Sequence, residues 1–422
     1  MKFLVNICAH DGIVSHYTGV GTIVKKYIYV FMNIMEKMGI SYHVNLFTPE
    51  YDDCSFGFSL NAKKHHYTLA NAKVIPISNG SGAMVGYGTP MHWKTLSENT
   101  AKIINSINTI EYDLIISIAN DTPFAGLPKL LNNDEKHKKI WIPHSTGKIH
   151  LGTSDNKYSE SSLDERIKWE EDIIEFINYD TNSFLGSIGK FVSMHLTEDY
   201  GLNGEKIINI FNGEVLSQQS KIKHLDTPEN DELFSIINDF NSIILSFGRA
   251  EEYKNLEATM YLGHDIGIQP VIIAQSYYKE QPILIKYKFI AKETNSVLFI
   301  DPPFDFPHYI LSNFYKPIIV LIPSKKEPVG LIINEVRSLN KNNILIVANN
   351  VDGISEQIDD SYNGILVDLS DLNESKRKII KYFNFDSMKN MNFNSQEKLK
   401  KNYDFEKNCY EFLIKIISFK KC

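Results

Sequence analysis

Glu327 and Glu335 stand eight positions apart, with Gly330 between them, in the stretch Pro-Ser-Lys-Lys-Glu-Pro-Val-Gly-Leu-Ile-Ile-Asn-Glu that runs from 323 to 335. The residues before it, Ile318 to Ile322, form a short β-branched run that reads as a buried strand. Those after it, Leu331, Ile332 and Val336, have helical spacing. The corner Val329-Gly330-Leu331 is therefore a loop entering a helix. The first backbone N–H groups of a helix lack internal partners and its dipole favours negative charge, so such a corner suits an anion. Gly330 removes the side chain that would keep a phosphate from that backbone. Glu335 falls one turn beyond Leu331 on the same side of the helix, whereas Glu327 stays on the loop. The two carboxylates are thus predicted to lie at different depths and to do different work.

A second corner carries the positive charge. The run Ser242 to Phe247 reads as a strand that ends in Gly248-Arg249, and Lys254 follows five residues later where a helix begins. Arginine offers a planar fork that matches a diphosphate, and lysine a compact point charge. A third candidate is His144, just past the apparent strand Lys139 to Pro143, at the carboxyl end of a strand where open α/β sheets hold ligands. His10, His16 and His150 are weaker candidates of the same kind. Near the amino terminus, Gly19-x-Gly21 follows the strand Phe3 to Ala9 and precedes a helix. Without a third glycine it falls short of a dinucleotide fingerprint, so it reads either as a phosphate or acceptor loop or as plain turn glycines.

The elements that must position these residues alternate. Val24, Tyr27, Ile28, Phe31, Ile34, Met35 and Met38 make one apolar stripe of helical period, Gly39 ends that helix, and Tyr42 to Phe47 reads as the next strand. Further strands are expected at 113–118, 139–143, 271–274, 297–300, 318–322, 344–348 and 364–367, with helices between, which is an α/β pattern. A chain of 422 residues, 43% of them hydrophobic, exceeds one ordinary core, and two domains of about 200 residues are expected. The glycine-rich run 78–90 reads as a long loop, with Tyr87, His92 and Trp93 as possible acceptor contacts or as a plain surface loop. Residues 162–176 read as an amphipathic helix with an acidic face. The plain expectation is a solvated face; the sharper one is that Glu170 and Glu171 favour a cationic acceptor such as an amino-sugar.

Glu327 and Glu335 in the context Pro-Ser-x-x-Glu-Pro-x-Gly-Leu, together with Gly248-Arg249-x4-Lys254-Asn255, resemble the E-x7-E and G-R-x4-K-N signatures of retaining GT-B glycosyltransferases of family 4, which includes glycogen, sucrose and mannosyl transferases. The resemblance extends to Asp352-Gly353-Ile354-Ser355-Glu356 and Asn363-Gly364-Ile365, where Asp352 replaces a usual glycine and Ser355 a usual proline, and to 191–213, where strand, serine and helix are expected. It is weakest over 48–110. It implies two Rossmann-like domains facing across a deep cleft: 1–215 for the acceptor, a linker at 216–240, 241–402 for the donor, and a helix at 403–422 that crosses back to the first domain. The donor implied is a nucleotide diphosphate sugar, with a uridine diphosphate sugar as the expected form. Arg249, Lys254, Gly248 and the Val329-Gly330-Leu331 corner would take its phosphates, Glu335 its ribose, and Glu327 its sugar hydroxyls. His144 would lie beside the sugar and Gly19 and Gly21 near the phosphates or acceptor.

Breaking the anomeric C–O bond places negative charge on the leaving diphosphate, and preorganised positive groups stabilise it. Two cations and a helix terminus can take a metal's place, so neither metal nor cofactor is expected, and activity should survive EDTA. A phosphorylase of the same fold, a non-catalytic sugar-nucleotide sensor and a dinucleotide oxidoreductase are the competing readings, and among transferases a lipid-linked or cell-surface polysaccharide acceptor competes with a soluble one. A net charge of −7 argues against nucleic acid or an anionic membrane as partner. The four cysteines Cys8, Cys54, Cys409 and Cys422 are scattered, which suits a reducing cytoplasm, and no stretch has the length of a membrane span.

Overall fold

A computed structural model describes residues 1–55, 57–80, 87–151, 160–217, 227–276 and 280–419. The chain divides into two units, each built on one parallel sheet. The first sheet holds β1 (Lys2–Cys8), β2 (Ser41–Pro49), β3 (Ala72–Ile77), β4 (Leu114–Asn120), β5 (His137–Ile142), β6 (Ser183–Ser187) and β7 (Ile207–Asn209). Their order is β3-β2-β1-β4-β5-β6-β7. The second holds β8 (Ile243–Arg249), β9 (Gln269–Gln275), β10 (Val297–Ile300), β11 (Ile318–Ile322), β12 (Ile344–Asn349) and β13 (Ile365–Val367), in the order β10-β9-β8-β11-β12-β13.

Strands covered by helices on both faces are mostly apolar: every residue of β11 is apolar and buried, and β4 is buried throughout with only Ser117 and Asn120 polar. Each fully buried Val, Leu or Ile contributes about 1.5–3 kcal/mol, and the residues of β11 all belong to the core of the second unit. In-register pairing puts Val5 between Val44 and Ile116, and Val320 between Leu245 and Ile346. The strand order reverses between β1 and β4 in the first sheet and between β8 and β11 in the second. At such a reversal the crossover helices diverge to opposite faces and leave an open crevice at the strands' carboxyl ends.

The helix Gly19–Lys37 buries the predicted stripe from Val24 to Met35. The last helix, Phe405–Ser418, packs within the first unit, where Phe412 stacks on Phe31 at 5.9 Å and Asn408 Nδ2 donates to the Phe211 carbonyl at 2.9 Å.

Some elements differ from the sequence reading. The strand expected around Phe191 is the first turn of the helix Lys190–Glu198, and the strand lies earlier, at β6. Its sequence, Ser-Phe-Leu-Gly-Ser, has too few β-branched residues to announce itself. β5 hides His137, Lys138 and Lys139 in the sheet's interior, where Lys139 Nζ pairs with Asp180 at 2.9 Å and Lys138 Nζ donates to Asn182 Oδ1 at 2.6 Å.

Glu170 is not on the solvated face assigned to it. It is fully buried and accepts from Arg166 Nε (2.8 Å), Thr122 Oγ1 (3.0 Å), the Gly147 amide (2.8 Å) and Tyr200 OH (2.6 Å). Its helix phase turns this carboxylate inward, where four donors satisfy it, so it meets no acceptor. Glu171 does remain exposed and pairs with Lys148 at 2.8 Å.

Candidate active site

In the second unit the site is built at the carboxyl ends of β8 and β11. β8 ends in Phe247-Gly248-Arg249, and a single turn, Glu252–Lys254, follows before the helix Glu257–Ile266. A left-handed Asn255 (φ 53°) makes the corner, and its Nδ2 donates to the Pro323 carbonyl at 3.2 Å. The Lys325 amide donates to the Tyr253 carbonyl at 2.7 Å. These two bonds tie the cation-bearing turn to the glutamate-bearing loop. As a result Lys254 Nζ meets Glu327 Oε2 at 2.5 Å, across 73 positions of sequence. Arg249 Nη2 lies 3.1 Å from Glu251 Oε2 and 2.5 Å from Tyr253 OH. Burial is what holds the Tyr253 hydroxyl well above the ordinary tyrosine range, so it stays a neutral donor and acceptor beside that guanidinium. A side chain at Gly248 would point into open space.

The Glu327 loop is gripped from behind by the turn after β12. The Glu327 amide donates to Asp352 Oδ2 at 2.8 Å, and its carbonyl accepts from the Gly353 amide at 3.1 Å. A Cβ on Gly353 would lie 1.8 Å from the Pro328 carbonyl oxygen, so only glycine permits this approach. Ahead of the helix Leu331–Ser338, Gly330 is left-handed (φ 66°, ψ 59°), a conformation that costs a side-chain-bearing residue about 1 kcal/mol or more. Among the described residues no side chain caps this helix; the Ile333 amide donates to the Gly330 carbonyl at 3.1 Å, and the Leu331 and Ile332 amides have no side-chain cap. Val329 is buried beneath them. Glu335 is half-buried on the same helix, and the one polar neighbour of its carboxylate among the described residues is His308 Nε2, at 3.7 Å. That separation is longer than a hydrogen bond, which leaves the carboxylate's acceptor positions unspent.

In the first unit the reversal between β1 and β4 gathers His10, Asp11, Asp121 and His144. His144 follows β5, and its Nε2 lies 3.2 Å from Asn120 Oδ1. Burial lowers its pKa to about 4 against a partial opposing pull from Asp121, so near neutral pH it is an uncharged imidazole. His10 is 2% exposed, and its Nδ1 sits 3.9 Å from Asp121 Oδ2. Among the described residues neither His10 Nδ1 nor Asp121 Oδ1 has a hydrogen-bond partner, although both are buried. Asp121 also adopts φ 62° and ψ 180°, a conformation close to glycine-only. Sequence reasoning passed over Asp121; the available signal was an acid directly after a buried, mostly apolar strand.

The glycine pair near the amino terminus packs beside a carboxylate. Gly19 opens the helix behind the N-cap Thr18, and a Cβ on Gly21 would lie 2.4 Å from Asp11 Oδ2. Asp11 accepts from the amides of Gly12, Tyr17 and Thr18 and from the hydroxyls of Ser15 and Thr18, between 2.7 and 3.2 Å. Asp11 thus organises residues 11–18 and lies against Gly21.

His16 and His150 bond to their neighbours Thr22 (3.2 Å) and Ser145 (2.9 Å). Of the expected acceptor contacts, Trp93 is 1% exposed and belongs to the core. His92 Nδ1 accepts from the Thr89 amide at 3.0 Å to start its helix, and Tyr87 packs edge-on against His10 at 5.3 Å. The run 81–86 lies outside the described residues. Among the described residues no group of His, Cys, Asp and Glu side chains could hold a metal ion, and no helix is long and apolar enough to cross a membrane.

No protein-family model and no curated protein matches the chain by sequence. Solved structures do match it by shape. Sucrose-phosphate synthase from Thermosynechococcus elongatus superposes with a TM-score of 0.71 at 16% identity, over 97% of this chain and 96% of that one. The catalytic domain of starch synthase IV from Arabidopsis thaliana, bound to ADP and acarbose, gives 0.68 at 14% identity, over 100% and 99%. HepE from Anabaena in complex with UDP and glucose gives 0.66 at 14% identity, over 99% and 100%. Two parallel α/β sheets, each with its strand order reversed at the centre, and these full-length superpositions define the architecture: the chain has the GT-B fold, with two Rossmann-like domains.

Proposed function

We propose that the protein is a retaining, metal-independent glycosyltransferase of family 4 that moves a hexosyl or related sugar from a nucleotide diphosphate sugar to an acceptor hydroxyl. The observation that carries this reading is the junction of β8 and β11, where Arg249, Lys254, Glu327 and an uncapped helix start belong to two bonded turns. In the resting protein both cations are met by protein carboxylates, Arg249 by Glu251 and Lys254 by Glu327. A diphosphate entering there replaces a carboxylate as their counter-ion and brings more negative charge than it displaces. Arg249, Lys254 and the amides at Gly330 and Leu331 then hold the charge that develops on the leaving diphosphate. Once released from Lys254, Glu327 accepts hydrogen bonds from the sugar hydroxyls and faces the positive charge at the anomeric carbon. Glu335 takes the ribose hydroxyls.

His144, neutral and half-buried, hydrogen-bonds a sugar hydroxyl. The unit of the first sheet takes the acceptor and that of the second the donor, with 216–240 as linker. HepE was solved with UDP and with UDP-glucose, which supports a uridine diphosphate sugar as donor. A soluble small-molecule or glycan acceptor in the cytoplasm is the reading we favour. Its support is the acidic net charge.

The test is thermal unfolding of the protein against UDP, GDP, ADP and dTDP sugars. A ligand at a hundredfold its Kd adds about 2.7 kcal/mol of stability. A protein that none of them stabilises does not have this function.

A further inference from the structure

Beside the Glu335 carboxylate stands a histidine that no motif foretells. His308 lies on the helix Phe306–Asn313, whose Phe306, Pro307, Tyr309, Ile310 and Leu311 are all buried. Phe306 meets Phe299 edge-on at 5.1 Å. Those five contacts fix the helix phase and leave His308 as the residue facing outward over the end of β8. The helix of Glu335 is fixed in the same way, by buried Ile333, Asn334, Val336 and Arg337. Two rigid elements therefore set the His308–Glu335 separation of 3.7 Å, and the side chains are 30% and 19% exposed. Phe247, the last aromatic residue of β8 before Gly248-Arg249, backs the imidazole with ring centroids 6.4 Å apart.

We propose that His308 is a specificity-determining residue for the nucleotide: its Nε2–H donates to the 2′-oxygen of the ribose diol whose hydroxyls donate to Glu335. This deepens the nucleotide-sugar reading above and rests on it. A lone carboxylate accepts hydrogen bonds but gives none, so it grips two hydroxyls without satisfying their oxygens. A ring N–H one ribose oxygen's width away completes the set. A 2′-deoxyribose lacks one donor to Glu335 and leaves His308 without its acceptor, and an unpaired polar group in a half-buried site carries the larger share of discrimination. Phe247 holds the imidazole so that its ring plane, rather than a flexible chain, sets the geometry.

The experiment is calorimetric titration of the full chain with UDP, ADP and GDP, each beside its 2′-deoxy analogue, for wild type, His308→Ala, His308→Gln and Glu335→Gln. For whichever base binds, His308→Ala should weaken the ribonucleotide by about fivefold to tenfold and leave the 2′-deoxy form within about twofold, which collapses the preference. His308→Gln, whose amide restores a donor, should recover most of it. Equal weakening of both forms, or no change in either, overturns the proposal, as does a glutamine that behaves like alanine. Unfolding midpoints for all variants separate a loss of fold from a loss of contact. If the wild type binds no nucleotide, the nucleotide-sugar reading fails and this one with it. If Glu335→Gln abolishes binding while His308→Ala changes nothing, only the role of His308 falls.

Discussion

Replacing Asp352 by alanine should cripple turnover without unfolding the protein. Its carboxylate accepts from the Glu327 amide at 2.8 Å, and the adjoining Gly353 amide donates to the Glu327 carbonyl at 3.1 Å, so the loop is clasped on both sides of the residue. A hydrogen bond to a carboxylate contributes about 1.5–3 kcal/mol. Because Asp352 is half-buried, the lower end of that range applies. Asp352 is also left-handed at φ 40°, a strain of about 1 kcal/mol that alanine keeps and glycine removes. Alanine therefore loosens the Glu327 loop by about 1.5 kcal/mol. Glycine loosens it by about 0.5 kcal/mol once strain relief is subtracted from the lost bond. Asparagine, which tolerates this conformation and keeps an acceptor, changes it little.

With the donor found by thermal shift, kcat should fall about tenfold in Asp352→Ala, about twofold in Asp352→Gly and least in Asp352→Asn, since 1.36 kcal/mol is a factor of ten. Unfolding midpoints should stay within a few degrees, because the bond is local. An alanine variant with wild-type kcat, alongside a Glu327→Gln variant that is inactive, would refute the idea that this clasp places Glu327.

Other outcomes follow from the same structure. Arg249→Ala and Lys254→Ala should each lower kcat by about 10²–10³, the usual loss for one preorganised electrostatic contact, and wild-type kcat in either would remove the phosphate assignment. Gly21→Ala should lower stability by about 2 kcal/mol or more, as its Cβ would fall 2.4 Å from the carboxylate that organises residues 11–18; an unchanged midpoint in urea would show that the loop gives way freely. Burial holds His66 and His137 at pKa values of about 4 against an ordinary 6.5. Between those values the unfolded chain binds protons that the folded chain refuses, so stability is intact above pH 6.5 and falls as pH drops toward 4, by up to about 3 kcal/mol for each histidine. A stability curve flat from pH 7 to 4.5 would contradict this. Sugar transfer should persist after dialysis against EDTA, and loss of activity restored by Mg²⁺ would overturn the metal-independent mechanism.

What could be read from the chain was whatever is local. The apolar runs 318–322 and 344–348 are strands because every residue there is buried on both faces, and a stretch of that kind has few alternatives. The stripe from Val24 to Met35 could only be one face of a helix. Gly330 had to be glycine to bend the chain into its helix, and the charges on either side of it named the chemistry. Other facts depend on residues far apart in sequence, whose distances no spacing encodes. Lys254 faces Glu327 because two turns from different strands are bonded to each other. Asp352, which reads as a simple turn substitution, is the anchor of that loop. Glu170 turned inward because helix phase and four donors from separate segments outweighed the pattern of its neighbours. Gly21 makes room for Asp11, ten residues before it. Periodicity and turn chemistry act over a few residues and survive in the sequence, whereas the pairing of buried charges is settled only when the sheet order brings distant loops to the same edge.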